Sequence, residues 1–162
     1  MDKIISINQA TKLSQKLRSQ GKKIVLVGGC FDILHIGHVK FLEKAKQQGD
    51  ILFVLLENDY NVRKLKGRNR PINTQKNRAM VLSALTSVDY VVQLPNLKND
   101  TDYDKVVSQI RPSIIATTTK DPNIVHKIRQ ANQVKAKVVY VLQKISNQST
   151  TRLARLIDQD LA

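Results

Sequence analysis

Residues 23–45, KIVLVGGCFDILHIGHVKFLEKA, change their period in the middle. Ile24 to Val27 form an unbroken apolar run. A run without polar alternation suits a strand buried on both faces, as in a parallel sheet. Gly28 and Gly29 then break the run, and Val39, Leu42 and Ala45 recur at helical spacing. The segment therefore predicts a strand, a glycine loop and an amphipathic helix. In such a unit the loop sits at the C-terminal end of the strand, where open α/β sheets hold their ligands.

The flanking sequence repeats the alternation. Ile7, Ala10, Leu13 and Leu17 predict a helix over residues 7–20, with Ser6 as its N-cap and Gly21 as its stop. ILFVLL (51–56), YVVQL (90–94), SIIAT (113–117) and KVVYVL (137–142) predict four more strands. TQKNRAMVLSAL (74–85), DYDKVVSQI (102–110), PNIVHKIRQAN (122–132) and TTRLARLIDQDL (150–161) predict helices between and after them. The expected fold is a Rossmann-like α/β domain: a doubly wound parallel sheet of about five strands with helices on both faces. Residues 1–162 are read as a single domain, with residues 1–21 as a helix preceding the core.

Whole-chain properties narrow the class. With 41% hydrophobic and 25% charged residues, the composition is that of a folded globular chain. No apolar run approaches the ~20 residues that a membrane-spanning helix needs. Cys30 is the one cysteine, so an internal disulfide is excluded and a cytoplasmic location is expected. The net charge of +14 calls for an anionic partner (phosphorylated small molecules, nucleic acid or an acidic surface), and no membrane partner is expected. Residues 63–78 hold seven basic residues and no acid. By themselves they read as a solvated basic loop or as a phosphate-gripping one.

The histidines favour the second reading. His35 and His38 are three residues apart at the start of a helix, so both rings can share one face. A helix N-terminus carries free backbone N–H groups and partial positive charge, and it attracts phosphate. Gly28 and Gly29 allow close backbone approach to a ligand. Two histidines without a third ligand make a weak zinc site. Cys30 lacks the partners of a thiol nucleophile and reads as a small core residue.

GCFDILHIGH resembles the signature of the cytidylyltransferase-like nucleotidyltransferases, which share a Rossmann-like fold and a His-x-Gly-His motif. Residues 21–50 and the run LKGRNRPINTQKNRAMVLSALTSVDYVV look most like the heptose-1-phosphate adenylyltransferase branch. Glycerol-3-phosphate cytidylyltransferases and archaeal FAD synthetases are close seconds. Class I aminoacyl-tRNA synthetases also carry His-Ile-Gly-His, but this chain is too short for one and has no Lys-Met-Ser-Lys-Ser-like run.

The resemblance implies roles residue by residue. His35, His38, Lys64 and Lys66 are the catalytic set, stabilising triphosphate and transition-state charge. Gly28, Gly29, Cys30, Phe31, Gly37, Lys120, Asp121 and the Ser149–Thr150–Thr151 helix start are the nucleotide contacts. Arg152 adds a cation there. Asp59 and Arg78 face the acceptor, with helix capping as the rival reading of Asp59. Asp32 and Asp89 are structural, and His126 is an ordinary helix residue. The implied substrates are a nucleoside triphosphate, ATP ahead of CTP, and a phosphorylated small molecule. Mg²⁺ is expected with the triphosphate and no protein-held metal. A homodimer is the expected assembly, by the habit of relatives.

One stretch departs from the pattern. Relatives show a glycine-rich run ending in Asp after the SIIAT strand, where the base pocket lies. Here residues 116–122 read ATTTKDP, with no glycine. β-Branched residues do not take the positive φ that glycine allows. A rebuilt pocket is expected. Two other classes stay open: a nucleotide-binding chain without turnover, motivated by this run, and a basic nucleic-acid-binding module. The aromatic content of 4% and the absence of Trp count against the latter.

Overall fold

The computed structural model describes residues 2–143 and Leu153. Its sheet has six parallel strands in the order β1-β4-β3-β2-β5-β6. These are β1 (Ile4–Ile5), β2 (Ile24–Gly29), β3 (Ile51–Leu56), β4 (Tyr90–Gln93), β5 (Ile114–Thr118) and β6 (Lys137–Leu142). The helices are α1 (Ile7–Ser19), α2 (Ile36–Lys46), α3 (Asp59–Lys66), α4 (Gln75–Ser83), α5 (Asp100–Ile110) and α6 (Ile124–Val134). Among them no helix is long and apolar enough to cross a membrane. The expected last helix, with Ser149, Thr150, Thr151 and Arg152, lies outside the described residues apart from Leu153.

The sheet has one strand more than the sequence reading counts. β1 is two residues long and pairs Ile4 with Val91 and Ile5 with Val92. It is too short to leave an alternation in the sequence. Ser6 follows it directly and caps α1, its side chain accepting from Gln9 N while Gln9 reaches back to Ser6 N. This reciprocal capping box ties the edge strand to the first helix.

Alternate residues of each strand serve different cores. Val25 and Val27 of β2 pack with Leu52, Val54, Phe41, Leu42 and Leu82 on the α2/α4 face. Ile24 and Leu26 pack with Phe53, Leu55, Val107, Ile110 and Ala131 on the α1/α5/α6 face. Two apolar faces explain why the strands read as continuous runs.

β2 lies between β3 and β5. From β2 the chain winds one way through β3 and β4, and β5 and β6 lie on the other side. The order reverses at β2, so its C-terminal end opens a crevice between diverging connections. Gly28 and Gly29 occupy that end.

Residues 63–78 are not one loop. Residues 63–66 are the last turn of α3, residues 67–74 connect, and α4 begins at Gln75. Asn58 is the cap of α3, its side chain accepting from Asn61 N. Asp59 is therefore the first helical residue and not the cap.

Candidate active site at the end of the second strand

His35 is the N-cap of α2, and its Nδ1 accepts from Gly37 N at 3.1 Å. That bond places the proton of the neutral ring on Nε2, the nitrogen left free for a ligand. One turn on, His38 stacks on His35 with ring centroids 3.9 Å apart and planes 24° apart. Phe31 braces His38 from the side, edge to face at 5.2 Å. Burial lowers the proton affinity of both imidazoles. For His38, burial and then the neighbouring His35 bring the pKa down to about 4, against a contrary pull from the Ile33 backbone. Both rings are neutral donors at pH 7 until an anion arrives.

The backbone before the pair is tightly set. Phe31 adopts a left-handed φ of 44°. Its ring folds back over Gly29, where an added Cβ would stand 2.9 Å from the ring edge. At Gly28 the same test meets nothing closer than 3.8 Å. Gly29 is thus required by the protein itself, and Gly28 is free for close approach by a ligand.

Asp32 straps the histidine turn to the connection between α3 and α4. Its carboxylate accepts from Arg70 Nε at 2.5 Å and from Asn73 N at 3.0 Å, and Asn73 Nδ2 donates to its carbonyl at 3.1 Å. Burial would raise this carboxyl; the Asn73 and Ile72 amides and the Arg70 guanidinium outweigh it and hold it below the usual carboxylate range. Asp89 ties the other end of the sheet, accepting from Leu52 N and Lys46 Nζ at 2.7 and 2.6 Å.

A cleft of about 340 Å³ opens on the α2 face of this strand end. Gly28, Gly29, Cys30, Phe31, His35, Gly37, His38, Lys66, Lys120 and Asp121 all border it. Most of the residues singled out in the sequence thus converge on one cleft. Lys64 does not line it; it stands exposed on α3. Burial raises the Cys30 thiol, which makes it a poor nucleophile.

Arg78 and Asp59 do not line this cleft. Arg78 is 1% exposed. Its Nε donates to Asn73 O, one terminal nitrogen to Cys30 O, and the other to Glu57 O and Asp59 Oδ1 at 2.8 and 2.7 Å. One guanidinium thereby ties together the ends of β2 and β3 and the α4 approach.

The ATTTKDP run builds its own arrangement. Lys120 takes the left-handed backbone, with φ 63°, so the threonines need not. Asp121 accepts from Lys127 Nζ at 2.5 Å, from Asn123 N at 2.8 Å and from the Thr117 hydroxyl. Burial opposes these bonds, yet they hold its carboxyl below the usual range.

A second cleft of about 390 Å³ lies on the opposite face, between β2, β3, α5 and α6. Its floor is apolar (Leu26, Leu55, Leu94, Val107, Ile115), and its polar wall includes Glu57, Tyr103, His126 and Lys127. The sequence reading passed over Glu57, Tyr103 and Lys127 and took His126 as ordinary. The available signal for Lys127 was positional: it lies in the first two turns of the helix after β5, beside the C-terminal sheet edge.

The described residues hold no group of three His, Cys, Asp or Glu side chains able to bind a metal ion. The nearby carboxylates of Asp32 and Asp121 are already occupied by cations and amides.

Similarity to known proteins follows the same geography. Bifunctional protein HldE of Wolinella succinogenes is 47% identical over 114 residues, covering 70% of this chain and 23% of that protein. HldE of Pseudomonas paraeruginosa is 38% identical over 158 residues, 96% of this chain and 32% of that one. The chain therefore spans about a quarter to a third of the length of these curated relatives. A lipopolysaccharide core biosynthesis protein from Thermoplasma volcanium superposes with a TM-score of 0.63 at 26% identity, covering 78% of this chain and all of that one. A Francisella tularensis pantoate-β-alanine ligase shares the fold at a TM-score of 0.64 and 16% identity, over 96% of this chain and 76% of that one. The cytidylyltransferase-like family model matches residues 26–155, from the strand that carries the glycines to beyond the second edge of the sheet, and the chain belongs to that family.

Proposed function

We propose that the chain transfers AMP from ATP to a sugar 1-phosphate, heptose 1-phosphate in particular, and releases pyrophosphate. The stacked His35–His38 pair at the start of α2, inside a cleft that also holds Lys66, carries this reading. The HldE relatives, which join a heptose-7-phosphate kinase to a heptose-1-phosphate adenylyltransferase, support the acceptor and ATP. A cytoplasmic location and a homodimer belong to the same reading.

In the reaction an oxygen of the acceptor phosphate attacks the α-phosphorus of ATP. A new P–O bond forms as the bond to the β-phosphate oxygen breaks, and pyrophosphate carries off the electron pair. Negative charge grows on the α-phosphate oxygens and on the leaving group. The His35 Nε2–H and His38 donate to that charge, and Lys66 adds a cation. An arriving triphosphate raises the proton affinity of both histidines, so they gain charge where the transition state needs it. The described residues do not form a metal site, so Mg²⁺ is read as part of the nucleotide substrate.

Pyrophosphate release is measured with ATP and CTP against heptose 1-phosphate, glycerol 3-phosphate and FMN. ATP with heptose 1-phosphate is expected to give the highest kcat/KM. Preference for CTP with glycerol 3-phosphate would reassign the substrates. Absence of release with every pair would leave a nucleotide-binding chain without turnover, the reading that the ATTTKDP run motivates.

A further inference from the structure

The two clefts share a wall. Gly28, Gly29, Cys30, Asp121 and Lys127 border both of them. The strand-end glycines and Cys30 carry no charge, so the shared wall holds one anion and one cation. The second cleft contains no other Lys or Arg among the described residues, and it contains Glu57 and Asp100. A phosphorylated molecule entering it must find a cation near the wall, because its phosphate has to reach the α-phosphate in the first cleft.

We propose that Lys127 binds the phosphate of the acceptor at the junction of the two clefts. This rests on the transferase reading given above. The side chain is 19% exposed and rises from α6 to the junction. Its ammonium donates to Asp121 Oδ2 at 2.5 Å and to Thr117 Oγ1 at 3.1 Å. An ammonium has three donors, so one remains for a ligand. Asp121 keeps the bond from Asn123 N and the Thr117 hydroxyl when the lysine turns toward a phosphate. The carboxylate and hydroxyl thus hold the ammonium in place without using it up.

The alternative assignment places the acceptor phosphate on Arg78. That guanidinium is buried and already donates to three carbonyls and to Asp59. Among the described residues Lys127 is the Lys or Arg that borders both clefts, and it has a donor to spare.

The test uses the full chain with ATP and heptose 1-phosphate, mannose 1-phosphate or glycerol 3-phosphate, whichever the wild type turns over fastest. Lys127→Met is expected to raise the acceptor KM about 10- to 100-fold, the range for one lost charged hydrogen bond, with the KM for ATP within about threefold of wild type. Lys127→Arg is expected to restore most of the acceptor affinity. Thermal melts accompany each variant, and Lys127→Gln, which keeps a donor for Asp121, replaces Lys127→Met if that variant does not fold. An unchanged acceptor KM in a folded variant lacking the charge overturns the proposal, as does an equal rise in the KM for ATP. Failure of the wild type to turn over any of these acceptors sinks the transferase reading instead, a separate outcome.

Discussion

Arg70 Nε lies 2.5 Å from Asp32 Oδ2, with 9% and 1% of the two side chains exposed, so the basic segment is clamped to the histidine turn by a buried ion pair. The pair holds the α3–α4 connection over the strand end. Asp32→Ala leaves the Arg70 charge buried and unpaired, which costs about 3–5 kcal/mol. Chemical denaturation of the two proteins measures that difference. A loss under ~1 kcal/mol would show that the pair is dispensable for the fold.

The same carboxylate sets an acid limit. Its folded pKa is below the ordinary value, so its contribution is present above the unfolded pKa, about 3.9. It is lost as pH falls through the folded pKa. Asp121 behaves the same way. Melting temperature is expected to fall below about pH 4, and Asp32→Asn should flatten part of that fall. An equally steep acid limb in the variant would remove Asp32 from the cause.

His38 adds a second pH effect at higher pH. Its folded pKa is lowered to about 4 from 6.5. Unfolded chains therefore take up a proton that the folded chain refuses, and stability declines as pH falls from about 6.5 toward 4. Ligand reverses the bias, since triphosphate favours the charged ring. NMR titration of the His38 ring should give a midpoint near 4 in the free protein and a higher one with ATP. Coincident titrations would mean that the ring does not meet the phosphates.

His38→Ala removes a donor to developing charge. It should lower kcat about 100- to 1000-fold, with the fold retained by circular dichroism. Turnover within tenfold of wild type would exclude the histidine from the chemistry.

Gly29 and Gly28 should separate packing from ligand approach. Gly29→Ala drives a methyl to 2.9 Å from the Phe31 ring, which must then leave its place beside His38. The expected cost is about 1–3 kcal/mol together with a fall in kcat. Gly28→Ala meets nothing closer than 3.8 Å and should spare stability while raising the KM for ATP. A reversal of the two patterns would mean that the strand end is read wrongly.

Much of this architecture is legible in the residues, for identifiable reasons. The strands β2 to β5 show as apolar runs because both faces of the sheet are covered there; β6 shows as one too, although none of its residues is buried among the described ones. The histidine turn shows because glycine, histidine and helix onset fall within a few residues. β1 is hidden because two residues carry no period. α3 is hidden because its last four residues, Arg63, Lys64, Leu65 and Lys66, are all exposed and three of them are basic, so the turn presents no apolar face to read. Asp59 has the look of a cap, and only the fold shows Asn58 in that role and Asp59 against Arg78. Lys127 is invisible for another reason: its partners Asp121 and Thr117 are six and ten residues away, and the wall they share exists only once β5 and α6 have packed.

That shared wall bears on stereochemistry. The first cleft and the second cleft lie on opposite faces of one strand end, separated by Gly28, Gly29 and Cys30. Two reactants that meet across such a partition approach phosphorus from opposite sides. The attacking and departing oxygens are then collinear, and the phosphorus centre turns inside out in a single displacement. An α-thio nucleotide of one handedness should emerge with the opposite handedness in the product, with no nucleotidyl-enzyme formed on the way.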